Sequence, residues 1–196
     1  MTKRIERKYL IKKNNFSKIY EILSNENFYK IFPNRNIYSV YYDNKNNDMF
    51  NDSEEGVTPR KKIRLRWYDS EKMPNKELIN LETKITNPYI REKYVQKLKN
   101  NYQLINDKIY GICTPRVFIS YNRNYFFKKN LSINIDDRIK FRININSGKY
   151  YFDFTNILEV KTYEQKYIDY FEKLTSIDNI RFSKYCIAMK KCYNFT

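Results

Sequence analysis

The sequence predicts an α+β protein built on a closed antiparallel β-barrel, a tunnel of about eight strands with a polar, cationic interior and helices packed outside. Three observations lead there. Strand-like segments follow one another along most of the chain. Several carry charge on one face and apolar side chains on the other: in KKIRLRWY (61–68), Ile63 and Leu65 point one way and Arg64 and Arg66 the other. Amphipathic helical segments are available to cover the apolar faces. An ordinary sandwich also alternates, with its charges outside. The recurrence of cations in mid-strand favours the inward arrangement, in which the charges line a space wide enough for one small ligand.

The elements follow in order. KRIERKYLI (3–11) alternates as a strand, with Arg4, Glu6 and Lys8 on one face. FSKIYEILSNENFYKIF (16–32) has helical period, with Ser17 as a cap. NIYSVYYD (36–43) is a strand ending in a polar loop, and DSEEGVTP (52–59) is a turn or flexible loop before the strand RKKIRLRWY. KELINLETKI (76–85) sets Leu81, Thr83 and Ile85 against Glu82 and Lys84. Asn87-Pro88 makes a turn. YIREKYV (89–95) returns with Arg91 and Lys93 on a common face and leads into a helix through QKLKNNYQLI (96–105). RVFISYNRNYFF (116–127) is strongly β-prone, with Tyr121 and Arg123 sharing a face. LSINIDD (131–137) alternates. KYYFDFT is followed by NILEVKT (156–162), where Glu159 and Lys161 oppose Leu158 and Val160. YEQKYIDYFEKLTS (163–176) is helical by period, and SKYCIAMKKCY (183–193) is a short closing helix. Without an internal repeat or a linker, residues 1–196 form one domain.

Composition narrows the chemistry. Hydrophobic residues make up 41% and aromatics 17%, too much bulky apolar material for a disordered chain. With 3 Gly and neither GxGxxG nor GxxxxGK[ST], a glycine-rich phosphate loop is excluded, so side chains must hold any phosphate. The net charge of +16 attracts polyanions: nucleic acid, nucleotides, inorganic phosphates or an acidic membrane surface. AT-rich codon bias accounts equally well for the total, but not for cations placed within strands. There are no histidines, which removes Ser-His-Asp and Cys-His catalysis and His-based zinc sites. Cys113, Cys186 and Cys192 lack zinc spacing and suggest a reducing compartment. With no signal peptide and no apolar run long enough to span a membrane, a soluble cytoplasmic protein is expected. Clustered cations would repel strongly at reduced dielectric unless wetted, balanced by glutamates or filled by an anion such as tri- or polyphosphate. Glutamates among them would hold a divalent metal that bridges phosphate oxygens.

In order along the chain, RIERKYLI, VYYDNKNNDMF, KIRLRWY, LETK, SYNRNYF, INIDD, ILEVKT and RFSKY resemble the strand motifs of the polyphosphate polymerase (VTC) domain of the CYTH-like triphosphate tunnel metalloenzyme superfamily. Each fragment alone is weak; their order and spacing together are specific. The resemblance implies that Lys8, Arg64, Arg66, Lys84, Arg91, Arg123 and Lys184 are catalytic residues lining the tunnel and binding nucleotide phosphates or the polyphosphate product. Lys93, Lys161 and Ser183 join them in holding phosphate. It implies Glu159 as the metal-binding glutamate, with Glu6 and Glu82 balancing charge or contacting Mn²⁺ or Mg²⁺ through water. Lys184 follows Ser183 at a helix start, where free N–H groups also favour phosphate. One position departs from the pattern: Ser132 stands where relatives carry a tunnel arginine, which lowers activity, calls on Lys128 or Lys129 to compensate, or marks a member that binds polyphosphate without making it.

The implied reaction transfers the ATP γ-phosphoryl group to a growing polyphosphate chain, with ATP and inorganic polyphosphate as partners. Rival readings are a metal-dependent tripolyphosphatase or RNA 5′-triphosphatase, a non-catalytic polyphosphate-binding subunit, and a basic nucleic-acid-binding domain whose aromatics stack bases. Triphosphatase relatives carry Glu-x-Glu pairs; Glu6-x-Lys8 and Glu159-x-Lys161 favour the polymerase. No nucleic acid partner is expected outside the RNA triphosphatase reading. Membrane association would require a protein partner.

Overall fold

The computed structural model describes residues 4–98 and 103–195. The strands are β1 (Ile5–Ile11), β2 (Tyr29–Asp43), β3 (Arg60–Tyr68), β4 (Asn80–Thr86), β5 (Arg91–Lys97), β6 (Ile105–Asp107), β7 (Gly111–Lys128), β8 (Leu131–Arg142), β9 (Tyr151–Asp153) and β10 (Asn156–Thr162). The helices are α1 (Phe16–Asn25), α2 (Asp48–Glu55), α3 (Gln165–Thr175) and α4 (Lys184–Tyr193). The α+β class is as the sequence predicts. The ladders run β1-β10-β8-β7-β2-β3-β4-β5, with β6 beside β7 and β9 beside β8. Closure would require β5 to pair with β1. No such ladder exists among the described residues, so the expected closed barrel is found as a path of strands with two ends. β1 has a further partner within its own unit. Its edge away from β10 is already occupied: Tyr9 bridges Asn179, and the Ile180 N–H donates to the Lys8 carbonyl at 2.7 Å.

The chain divides into two compact units. One takes in the described part of Met1–Arg35, with Tyr121–Ile139 and Asp153–Phe182; the other takes in Asn36–Ser120, Lys140–Phe152 and the described part of Ser183–Thr196. In the first, β10 pairs antiparallel with β1 on one side and β8 on the other. Tyr9, Ile11, Ile133, Ile135, Leu158 and Val160 form its apolar face, packed with Ile19 and Leu23 of α1 and Ile168 and Phe171 of α3. In the second, β2, β3, β4 and β5 pair antiparallel in sequence. Val40, Tyr42, Ile63, Leu65 and Trp67 pack there with Met49 of α2, Cys113 and Phe118. Burying each such side chain stabilises by about 1.5–3 kcal/mol, against about 0–1 kcal/mol for an exposed ion pair. The apolar residues therefore decide which face of each ladder packs into the core, and period two sends the charges to the opposite face.

Several elements differ from the sequence reading. The helix expected over 16–32 stops at Asn25: Asn27 takes a left-handed φ of 56°, and the Phe28 N–H reaches the Leu23 carbonyl at 2.8 Å, after which the β-prone YKIF joins β2. Ser17 lies inside α1 rather than capping it. The DSEEGVTP loop contributes to α2, whose first turn is held from outside by Asp43 through the Met49 and Phe50 amides. The helix expected through 96–105 is not formed where it can be followed. Lys97 ends β5, Ile105 begins β6, and residues 99–102 lie outside the described set. No helix among the described residues is long and apolar enough to cross a membrane.

Candidate phosphate-binding site

The second unit carries the paired-arginine strand. On β3, Lys62, Arg64 and Arg66 share the face opposite Ile63, Leu65 and Trp67. The register places Tyr41 and Glu82 beside Arg64, Ser39 and Asn80 beside Arg66, and Lys84 beside Lys62. Lys93 lies opposite Lys84 and Arg91 opposite Thr86. Three lysines in register on adjacent strands would repel; the neighbouring row supplies the balance. Glu82, 4% exposed, accepts from Arg64 Nε and Nη2 at 2.8 and 2.6 Å and from Lys93 Nζ at 2.9 Å, with Arg66 at 3.7 Å. Burial raises its pKa, but Arg64, Arg66 and Lys93 outweigh this and lower it to about 2. Arg64 Nη1 also donates to the Tyr41 hydroxyl at 2.5 Å. Burial opposes ionisation of Tyr41, yet Arg64, Arg66 and Lys62 bring its pKa down to about 8.

The start of α4 joins this face. Ser183 caps α4, accepting the Cys186 N–H at 3.3 Å, and its hydroxyl also accepts from Lys62 Nζ at 2.9 Å. Lys184 is the first helical residue and is partly buried. Tyr185 stacks on Tyr41 with centroids 5.0 Å apart and donates to Asp43 at 2.5 Å. Arg91 and Lys93 are the exposed members of the set.

The first unit carries the remaining predicted residues. Lys8 lies opposite Glu159 and Glu6 opposite Lys161; across β10, Asn134 faces Glu159 and Ser132 faces Lys161. Lys161 Nζ lies 2.5 Å from Glu159 Oε1 and Arg123 Nη2 lies 4.0 Å from Oε2. Burial works against the Glu159 charge, but Lys161, Arg123 and Lys8 hold it well below the usual carboxylate range. Lys8 Nζ donates to the Phe182 carbonyl at 2.9 Å. Ser132 occupies the charged face, as the sequence places it. Lys128 does not stand in for the missing arginine. It pairs instead with Glu26 at 2.8 Å, and its ammonium lies over the Phe28 ring, which belongs to the helix-packed core.

Sequence reasoning missed four contributors: Tyr41, Lys62, Asn134 and Asp136. Asp136, fully buried, grips Arg123 with two bonds, Nε–Oδ1 at 2.6 Å and Nη2–Oδ2 at 2.7 Å. Burial disfavours the guanidinium charge, but Asp136 holds the Arg123 pKa well above its usual value. The signal was present in INIDD, since Asp136 shares strand parity with Ser132 and Asn134. Among the described residues no three Asp, Glu or Cys side chains gather as a metal cage. Both Glu82 oxygens are engaged by cations. Glu159 is likewise flanked by cations, with Lys161 at Oε1 and Arg123 farther off at Oε2.

A β-sheet whose cations and balancing carboxylates lie on faces turned from helix-covered cores defines an α+β protein with charged sheet faces. Its family follows from comparison. The VTC domain matches residues 3–110 and 86–193, and the chain belongs to that family. The fold is that of the triphosphate tunnel superfamily. A Hippeastrum protein studied as an adenylyl cyclase, with a dominant triphosphatase activity, superposes with a TM-score of 0.57 at 14% identity, covering 96% of each chain. A Vibrio parahaemolyticus protein described as an adenylate cyclase gives 0.55 at 15% identity, covering 95% of this chain and 98% of that one. A conserved Pyrococcus furiosus protein gives 0.56 at 14% identity, covering 93% and 99%. At these identities the likeness concerns the fold alone. No curated protein sequence matches the chain.

Proposed function

We propose that this chain is a polyphosphate polymerase that transfers the γ-phosphoryl group of ATP to a growing inorganic polyphosphate chain, releasing ADP. The observation that carries this reading is the make-up of the charged faces in a VTC domain: sheltered arginines and lysines, each group arranged around Glu82, Asp136 or Glu159. In this reading Arg64, Arg66, Lys84, Arg91, Lys93, Ser183 and Lys184 hold phosphates on one unit, and Lys8, Arg123 and Lys161 on the other. Phosphoryl transfer asks for little covalent chemistry from the protein. The terminal oxygen of the acceptor chain attacks the γ-phosphorus, the bond to the bridging oxygen breaks, and ADP leaves with the electron pair. The cations orient both partners and stabilise charge gathering on the transferred group. Bound Mn²⁺ or Mg²⁺, held by Glu159, would supply further charge neutralisation at the phosphate oxygens.

Hydrolysis is the second reading, favoured by the triphosphatase activity of the Hippeastrum relative. It requires water in place of the acceptor phosphate. The lysine at the second position of both Glu-x-Lys pairs weighs against it, because it removes a carboxylate that would otherwise hold metal. Incubation of purified protein with ATP and Mn²⁺ or Mg²⁺ separates the readings. Chains plus ADP are expected; free phosphate without chains means a phosphatase; retained polyphosphate with no product means a binding subunit. Arg64→Ala and Glu159→Gln should each abolish turnover in a folded protein, and unchanged turnover in both would refute the site.

A further inference from the structure

The β7–β8 turn and the first half of α3, in the first unit, border an open hollow of about 370 Å³ lined by Lys128, Lys129, Leu131, Lys166, Tyr167 and Tyr170. We propose that this hollow is a second ligand site that takes a nucleoside phosphate, its base against the tyrosine rings and its phosphate among the lysines. The site is separate from the charged face. Leu131 belongs to the helix-packed apolar face, whereas Ser132, its neighbour, faces Lys161.

The walls are fixed from several directions. Glu26 accepts from both Lys128, at 2.8 Å, and the Tyr170 hydroxyl, and Lys128 also reaches that hydroxyl at 3.1 Å. Asn130 ties the turn to α3 by donating to Glu164 Oε1 at 3.0 Å and the Tyr167 hydroxyl at 3.2 Å. Lys129, between them, holds a left-handed φ of 51°. Charge points to an anion. Lys128 is matched by Glu26 and Lys166 by Glu164 at 2.6 Å, but no carboxylate pairs with Lys129 among the described residues.

Shape and polarity narrow the class. The volume lies in the range of small-molecule pockets, about 300–1,000 Å³. One surplus cation is a poor match for a long polyphosphate, and inorganic phosphate would leave the exposed parts of the two tyrosine rings without an apolar partner. The ammonium of Lys166 lies 5.1 Å from the Tyr167 centroid and that of Lys128 5.3 Å from the Tyr170 centroid, so ring and charge are adjacent. A nucleoside monophosphate likewise joins a flat base to an anion.

The test is equilibrium binding of AMP, adenosine and inorganic phosphate to the full chain carrying Arg64→Ala and Arg123→Ala, which remove one arginine from each charged face. One AMP should still bind, and adding Lys129→Glu should weaken it by roughly tenfold or more. Tyr167→Phe should retain binding, while adenosine and inorganic phosphate should each bind much more weakly than AMP. Loss of all AMP binding in the Arg64→Ala, Arg123→Ala protein, indifference to Lys129→Glu, or phosphate binding as tight as AMP would each overturn the site. Because Lys129 lies at an exposed turn, its reversal leaves the fold intact and reports binding alone. The outcome is independent of whether ATP is polymerised or hydrolysed.

Discussion

Glu82 shows how one buried carboxylate can organise several cations. Its pKa falls from an ordinary value of 4.5 to about 2 on folding, so it contributes stability above about pH 4.5 that is lost as the pH falls toward 2. Glu82→Gln should remove that acid-dependent component from a plot of melting temperature against pH. It should also destabilise at neutral pH, by about 3–5 kcal/mol, because Arg64 and its neighbours lose their counter-charge. A variant with the same acid profile as the parent would show that Glu82 is not the balancing group. Tyr41 offers a spectroscopic check on the same contact. One tyrosine should form tyrosinate near pH 8, and Arg64→Gln should move that titration upward by removing the nearest positive charge. Neither behaviour is legible in VYYD, since the contact to Arg64 depends on the β2–β3 register.

At the scale of elements, α2 and α4 depend on one side chain. Asp43 accepts from the amides of Met49 and Phe50 and from the Tyr185 hydroxyl, which bear on α2 and α4 respectively. Asp43→Ala leaves a buried hydroxyl and three amides, those of Asn44, Met49 and Phe50, without that acceptor. Each such loss costs about 1–3 kcal/mol, so hydrogen exchange at Met49 and Phe50 should accelerate together with a falling melting temperature. Unchanged protection would mean that α2 holds itself. This is why the segment read as a loop: eight residues are too few to form a helix from local propensity, and the stabilising acceptor lies on another element. The strands, by contrast, were readable because period-two alternation in RIERKYLI, KIRLRWY and ILEVKT is local and matches a face buried on one side.

For the whole molecule, a net charge of +16 makes polyanion binding strongly salt-dependent. Polyphosphate affinity should fall steeply between low and physiological ionic strength, and Arg66→Ala should make the dependence shallower. A slope equal to the parent's would mean that Arg66 does not meet phosphate. By itself the sequence determined the α+β class, most strands, which residues point away from the core, and a family pattern that the VTC match bears out. These are properties of residue type and spacing along a few neighbouring positions. Only the tertiary structure decided which carboxylate answers which cation, that Asp136 holds Arg123, that Lys128 turns to Glu26, and that β1 meets Asn179. Those outcomes depend on strand register and on contacts between residues far apart in the chain, where burial and pairing of charge outweigh any local preference.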